Sequence, residues 1–455
     1  MGNRKNLLEK LKTGILGLGI IGASYFNAHA QTQEKENYQE KTKKVSNELQ
    51  KSRTKTYPTL IHKLIEFENE PLNGATTCAS LEENSLDTVI KRMEKYIPKK
   101  PASELSKKEA QNLFLKMDSV MRDQICRIQG ECYQTAYMYY ALGDFYNLPI
   151  NLVMTPSYIG KYHLFVRWDP DGKHDALNPD NSVNKGDFNW DNESPLFLKR
   201  KFPLNDEDKY FIEEFYIPKE TIEKGIYLKN MNEKEMWAFS HTIKAQSLSY
   251  QVRKLHLEKE EEIKIAEKIF SQVLNTLDTA IELDSLCIPA YYYKAYYLGK
   301  PVRNPNYNFE EAIKIVNKAL ELNPKQSELW NLKGIIYNNR DIMNKGKKNS
   351  LDNEALNYYN LAIDLVKEFQ KIELSKKDRP VLGINYEKMY YLASSESGYL
   401  YSKEEIYQYQ GIDLESPEVS KYLKEQAEIT EKIKFYKEKI SENPEKYSSW
   451  EWFNY

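Results

Sequence analysis

The spacing of hydrophobic residues predicts a mixed first half of the chain and an entirely helical second half. Before the first strand candidates, apolar positions recur every three to four residues, which is the period of an amphipathic helix. One such helix should start at a capping box formed by Ser106 and Glu109. A second helix should begin near Gly130 and continue to Leu142.

Beyond Pro149 the pattern changes to short runs of β-branched and aromatic residues. Ile150–Met154 and His163–Trp168 are strand candidates. The run Asp169–Gly172 has the composition of a tight turn, because proline fixes φ at one corner and glycine tolerates a positive φ. The sequence therefore predicts a hairpin with Lys173–Leu177 as the returning strand, and an α+β fold for this part of the chain.

From about Leu255 onward the pattern is helical and contains a repeat. An alanine-centred helix motif appears in Leu277–Asp284, Val316–Asn323 and Leu361–Leu365, with the alanines 39 and then 43 residues apart. This motif is typical of the second helix of a tetratricopeptide repeat, in which a small residue lets neighbouring helices approach closely. The small residues expected at close helix crossings are Ala295, Ala312, Ala319, Gly334 and Ala362.

The first thirty residues have the features of a secretory signal. A basic leader precedes the apolar run Gly14–Phe26, and Ala28–Ala30 supplies the small-x-small pattern of a cleavage site. The apolar run has about thirteen residues, fewer than the roughly 18 to 20 that span a bilayer. We therefore expect a signal peptide at residues 1–30 and no stable membrane span after cleavage, which makes the protein exported. An uncleaved membrane anchor is the alternative. Residues 31–56 are polar and should form a linker.

Composition excludes several classes of function. The 455 residues contain 65 Lys and Arg against 67 Asp and Glu, so the basic excess of a nucleic-acid-binding protein is absent. No zinc-binding motif, acidic metal loop or phosphate-binding glycine loop is recognisable, so no cofactor and no metal site are expected. Four cysteines are too few for a disulfide scaffold. Export would allow a bridge between Cys78 and Cys126.

Two residues could form a nucleophilic pair. Cys132 stands at the predicted start of a helix, where unpaired backbone N–H groups and the helix dipole stabilise a thiolate. His163 stands at the predicted start of a strand and could act as its base. A buried structural cysteine is the alternative for Cys132.

A third polar residue would have to orient the imidazole of His163. If the predicted turn has two residues at its tip, Asn178 lies directly opposite His163 in the hairpin. A turn with an additional glycine bulge shifts this pairing by one residue and reverses the face. Asn181 is then the diagonal candidate, and Asp180 is held in reserve.

Several short motifs together resemble a bacterial transglutaminase-like domain of the type often fused to tetratricopeptide repeats. They are Gly130–Cys132, Leu148–Ile150 and His163–Arg167, followed by a helical region. The resemblance implies a papain-like fold with Cys132 as nucleophile and His163 as general base and acid. The third position, a carboxylate in many relatives, matches Asn178, which is the papain-type residue. The preceding segment differs from the usual Pro-Gly-His of the relatives.

These observations predict an α+β papain/transglutaminase-like domain at residues 57–253. Tetratricopeptide-like repeats should follow at residues 254–372, and C-terminal helices at residues 373–455. The expected function is that of an exported cysteine-dependent hydrolase or acyl transferase acting on peptide or amide bonds, with the repeats docking a protein or peptide partner. The alternative is a catalytically inactive scaffold for protein binding and assembly.

Overall fold

The structure is a computed structural model that describes much of the chain from Thr59 to Glu442. The described residues are 59–69, 83–128, 132–156, 162–177, 186–190, 208–252, 255, 259–301, 304, 307–345, 354–378, 386–410 and 416–442. The chain divides between Thr56 and Tyr57, and every described residue belongs to the second of these parts. The expected signal peptide and linker, Cys78 and the side chain of Cys126 lie outside the described residues.

The described part is mostly helical and carries one small antiparallel sheet of three strands. The first helices are α1 (Leu60–Asn69), α2 (Glu83–Met93), α3 (Lys107–Ile128), α4 (Cys132–Tyr146), α5 (Asp208–Phe215), α6 (Lys219–Glu223) and α7 (Glu233–Val252). The later helices are α8 (Glu260–Leu283), α9 (Ile288–Leu298), α10 (Phe309–Leu322), α11 (Ser327–Lys345), α12 (Glu354–Leu374), α13 (Tyr386–Gln410) and α14 (Pro417–Ser441). None of these described helices is long and apolar enough to cross a membrane.

The sheet consists of β1 (Ile150–Thr155), β2 (His163–Trp168) and β3 (Phe188–Trp190), in that order across the sheet. Both pairings are antiparallel. The strands β1 and β2 lie where the sequence predicts them. The returning strand predicted at Lys173–Leu177 is wrong, because those residues form turns and irregular structure, and β2 pairs instead with β3.

The helix predictions in the first half of the described chain are confirmed. Ser106 and Glu109 cap the start of α3 reciprocally, since the Ser106 backbone N–H donates to the Glu109 carboxylate at 2.9 Å and the Glu109 N–H donates back to the hydroxyl at 3.3 Å. The next helix, α4, begins at Cys132 and ends at Tyr146, four residues later than expected.

Consecutive helices from α7 to α14 pack against one another, and the connections between α8 and α12 that are described are short. Short connections between packed neighbours produce antiparallel pairs. The five small residues expected at close crossings are all buried: Ala295, Ala312, Ala319, Gly334 and Ala362.

The hydrophobic core does not end at the boundary predicted between residues 253 and 254. One continuous cluster of buried residues extends from Ile61 in α1 to Ile336 in α11. The helix α7 packs against α1 and also against α8, so it belongs to both parts. Further along, the ring of Tyr216 stacks on that of Phe369 in α12, with centroids 4.3 Å apart. The sheet region and the helical array therefore form one packed body.

Gly334 in α11 offers a direct test of the close packing between helices. A Cβ atom at this position would lie 2.6 Å from Cε1 of Tyr359 in α12, a ring that is itself buried. Gly334→Ala should overpack this crossing and lower the free energy of unfolding by roughly 1–3 kcal/mol.

The matched control is Gly398→Ala in α13, where no described heavy atom lies within 4 Å of the added methyl group. This substitution should stabilise by up to about 1 kcal/mol, because alanine is the better helix former. Thermal and denaturant unfolding would measure both variants. Equal effects of the two substitutions would contradict the close crossing.

Candidate functional site

The predicted nucleophile lies at the start of α4. Cys132 is the first residue of this helix, as expected, and its side chain lies outside the described part of the structure. The next residue, Tyr133, is buried and its ring contacts that of Phe239 in α7, with centroids 6.0 Å apart. The ring of Tyr162, directly before β2, contacts the same phenylalanine at 4.8 Å. The starts of α4 and β2 thus lie at the same end of the sheet.

The predicted base, His163, opens β2 and is 3% exposed. Its ring lies 5.7 Å from that of Phe215 in α5 and 6.2 Å from that of Phe165, measured between centroids. Because alternate residues of a strand share a face, His163, Phe165 and Arg167 project to the same side of the sheet. We call this side the α5 face.

The body of α4 packs on the opposite side of the sheet. Gly143 of α4 lies against Ile150, since a Cβ added to this glycine would come within 2.7 Å of the Ile150 Cβ. Tyr139 of the same helix accepts a hydrogen bond from the Trp190 indole N–H at 3.2 Å. In the sheet register Ile150 pairs with Trp168 and Trp190 pairs with Val166, so both residues point away from the α5 face. The His163 ring therefore lies on the side of the sheet opposite to the body of α4.

The third predicted residue, Asn178, lies outside the described residues, as do Asp180 and Asn181. The hairpin that placed Asn178 opposite His163 is not formed among the described residues, because Lys173–Leu177 is irregular and β2 pairs with β1 and β3 instead. The described structure therefore brings the starts of α4 and β2 together. The Cys132–His163–Asn178 site stays a prediction.

A buried polar network occupies the α5 face at the other end of β2. The guanidinium of Arg167 donates to the Asp208 carboxylate at 2.6 Å, and both side chains are fully buried. Arg167 also donates to Asn189 of β3 at 2.9 Å and to the Leu228 carbonyl at 3.1 Å. Burial alone would raise the pKa of Asp208, but the charge of Arg167 and the hydrogen bond from His174 outweigh it and lower that pKa.

His174 links this network to a second carboxylate. Its Nε2 lies 2.5 Å from Asp208 and its Nδ1 lies 3.1 Å from Asp187. Burial alone would lower the pKa of His174, but these two hydrogen bonds raise it. The doubly protonated ring can donate to both carboxylates. Beside Asp175 in a turn-rich run, His174 would be expected at the surface, but its side chain is only 11% exposed.

Cys287 is the one cysteine whose side chain the structure describes. It directly precedes α9, is free, and is 2% exposed. Burial, with a smaller contribution from nearby Asp284, raises the pKa of its thiol to about 12. Cys287 is therefore an unreactive structural thiol at neutral pH.

A stripe of aromatic and cationic residues runs along α11. Trp330, Lys333, Tyr337 and Arg340 recur at helical spacing, and Tyr358 from α12 lies beside them. The Lys333 ammonium lies 4.2 Å from the centroid of the Tyr358 ring, and the Arg340 guanidinium 4.4 Å from that of Tyr337. We call these five residues the α11 stripe. All except Tyr337, which is 9% exposed, are half-buried and thus reachable by a partner.

The ion pair between Arg167 and Asp208 can be tested by removing one charge. Asp208→Asn leaves the Arg167 guanidinium buried without its counter-ion, so we expect a loss of about 3–5 kcal/mol in the free energy of unfolding. The control is Glu260→Gln, because Glu260 forms an exposed pair with Lys264, and such pairs contribute little. Unfolding in denaturant would measure the free energy of unfolding of both variants. A small effect of Asp208→Asn would show that the network tolerates an unpaired charge.

In comparisons with known proteins, no family model, no curated protein and no solved structure matches the chain.

Proposed function

We propose that the protein is an exported, non-catalytic assembly protein whose stacked helices, of the tetratricopeptide type, dock an acidic peptide segment of a partner protein. The α11 stripe carries this proposal. The sheet region serves as the rigid base to which the helical array is joined.

The composition of the α11 stripe supports docking. Trp, Tyr and Arg are the residues enriched at the energetic centres of protein interfaces. Here Trp330 and Tyr358 stack at 6.0 Å with Lys333 placed over both rings, so the cation is held by the surface before any partner arrives. A preorganised side chain loses less conformational freedom on binding. The Lys333 ammonium favours a partner that carries carboxylates, whereas Arg340 already pairs with Asp341 and Glu354.

The packing of the array supports the same proposal. The crossing between α11 and α12 is held closely by Gly334 against Tyr359, and the Trp330 indole N–H donates to the Pro324 carbonyl at 2.8 Å. These contacts fix the backbone under the stripe. Arrays of stacked helix pairs use such extended, rigid surfaces for partner binding.

Charge reversal on the stripe tests the proposal. The double variant Lys333→Glu and Arg340→Glu should lose most of the partner that wild-type protein captures in its native organism, because the reversed charges repel an acidic segment. The control is Lys314→Glu in α10, a residue 77% exposed and distant in sequence from the stripe. Capture followed by mass spectrometry would compare the three proteins. Equal recovery of every specific partner with all three proteins would contradict docking at the α11 stripe.

The second candidate function is that of a cysteine-dependent hydrolase or acyl transferase of papain-like fold. It is favoured by the contact that Tyr133 and Tyr162, the neighbours of Cys132 and His163, both make with Phe239. In this mechanism the Cys132 thiolate attacks an amide carbon, the amine leaves with a proton from His163, and a thioester forms. Water or a second amine then cleaves the thioester. Asn178 would orient the imidazole.

Thiol reactivity separates the two candidates, and Cys287 serves as an internal control. A catalytic Cys132 at a helix start should be alkylated with a pH midpoint well below the roughly 8.5 of an ordinary thiol. Cys287 should stay unmodified in the folded protein, since burial raises its pKa to about 12. Mass spectrometry of each peptide against pH gives both rates. If Cys132 reacts no faster than an ordinary thiol, or only after unfolding, the enzymatic candidate is excluded.

A further inference from the structure

Three aspartates from two loops meet at the end of the sheet. Asp169 directly follows β2 and Asp187 directly precedes β3, so the pairing of Trp168 with Phe188 places them side by side. Asp171 comes from the turn after β2. Each of the three offers one carboxylate oxygen, and these oxygens all lie within 4.8 Å of one another.

Two of these carboxylates are buried with one oxygen unsatisfied. Asp169 is 3% exposed, and the side chain of Asp187 is 5% exposed. The Oδ1 atom of each is buried and has no hydrogen-bond partner among the residues that the structure describes. A buried carboxylate oxygen without a partner is costly, so each such atom needs an explanation.

The second oxygen of each buried carboxylate is held in place by a neighbour. The Asn230 side chain donates to Asp169 Oδ2 at 2.6 Å. His174 Nδ1 lies 3.1 Å from Asp187 Oδ2. Metal-binding carboxylates are commonly fixed in this way, with one oxygen hydrogen-bonded to an outer residue and the other directed to the ion.

The turn around Asp171 is shaped for close approach of the two loops. Gly172 and Gly186 both have positive φ, 68° and 115°, which residues with a side chain rarely adopt. A Cβ at Gly186 would lie 3.9 Å from the Pro170 ring, so the loops are in contact here. Asp171 is exposed, so the cluster reaches the protein surface at this residue.

The charges around the cluster leave it negative. In the described network the carboxylates of the cluster and of Asp208 outnumber the cations Arg167 and His174, and the shortest hydrogen bond of Arg167 goes to Asp208 rather than to the cluster. His174 is shared between Asp187 and Asp208. Three carboxylates in contact repel one another, and a bound cation would remove that repulsion.

We propose that Asp169, Asp171 and Asp187 bind a divalent cation, with calcium preferred. The ligands are hard oxygens, which calcium and magnesium both take. Calcium forms bonds of about 2.3–2.6 Å in flexible geometry, so two of its ligands can be as far as roughly 4.6–5.2 Å apart, whereas for magnesium the limit is about 4.2 Å. Oxygens within 4.8 Å of one another can all bind calcium, and the exposed third ligand suits its flexible coordination geometry.

The test uses the full chain after dialysis against a chelator. Titration calorimetry with calcium chloride should show one binding event, and millimolar calcium should raise the thermal unfolding midpoint by roughly 2 °C or more. Magnesium should bind more weakly. Terbium, a calcium substitute excited through tryptophan, should luminesce, because Trp168 directly precedes Asp169. Absence of heat and of a midpoint shift with both calcium and magnesium overturns the proposal.

Three variants locate the binding. Asp171→Asn and Asp187→Asn should abolish the response to calcium. In chelator Asp171→Asn should be at least as stable as wild type, because it removes a repelling charge, whereas Asp187→Asn should be less stable, because Asp187 also pairs with His174. The control is Asp175→Asn. Asp175 lies on the same loop outside the cluster, and its carboxylate accepts a hydrogen bond from the Leu177 N–H at 2.9 Å. It should keep the full calcium response. A response that survives Asp171→Asn and Asp187→Asn, or is lost in Asp175→Asn, contradicts the assigned ligands.

Discussion

The buried charge of Arg167 is the constraint around which the sheet region is organised. Removing a guanidinium from water costs several kcal/mol unless partner groups surround it. Those groups come from three separate elements: Asn189 in β3, Asp208 at the start of α5, and the carbonyl of Leu228. Leu228 itself has a positive φ of 60°, a conformation that costs about 1–3 kcal/mol for a residue of this type. The hydrogen bond from Arg167 helps to hold it there.

The segment that follows Leu228 connects the Arg167 network to the helical array. Asn230 accepts from Arg167 and donates to Asp169, and α7 begins three residues later at Glu233. Because α7 packs on both α1 and α8, the segment fixes the sheet region against the array. The same residues thus support the proposed cation site and anchor the helices that carry the α11 stripe. A cation bound at Asp169 would stabilise both the sheet region and the helical array.

The sequence was informative wherever structure depends on local spacing. The helix α10 ends at Leu322, within the predicted motif Val316–Asn323, because the period of apolar residues and the small Ala319 define it within the chain itself. The strand partner of β2 was not predictable in this way. Proline and glycine in the turn after Trp168 suggested a hairpin to Lys173–Leu177, but pairing is decided by which distant strand buries its aromatic residues best, and that strand holds Phe188 and Trp190.

Predictions about the candidate site depended on that same pairing. The predicted pairing of Asn178 with His163 depends on the hairpin. Because β2 pairs with β3 instead of the predicted returning strand, that argument for Asn178 no longer holds. The roles of His174 and Asp208 had no sequence signal, since they meet only after α5 folds onto the sheet. The spacing of Asp169 and Asp171 predicts only a turn, because Asp187, the third carboxylate, is brought to them by strand pairing.

The shared hydrophobic core predicts that the sheet region and the helical array unfold as one cooperative unit joined through α7. Native-state hydrogen exchange of the full chain at increasing denaturant tests it most directly, because it gives a separate opening free energy for each element. The amides of β2, α7 and α10 should converge on a single global value. If the amides of α10 instead open at a lower free energy while those of β2 stay protected, or the reverse, the two parts unfold independently and the claim is wrong.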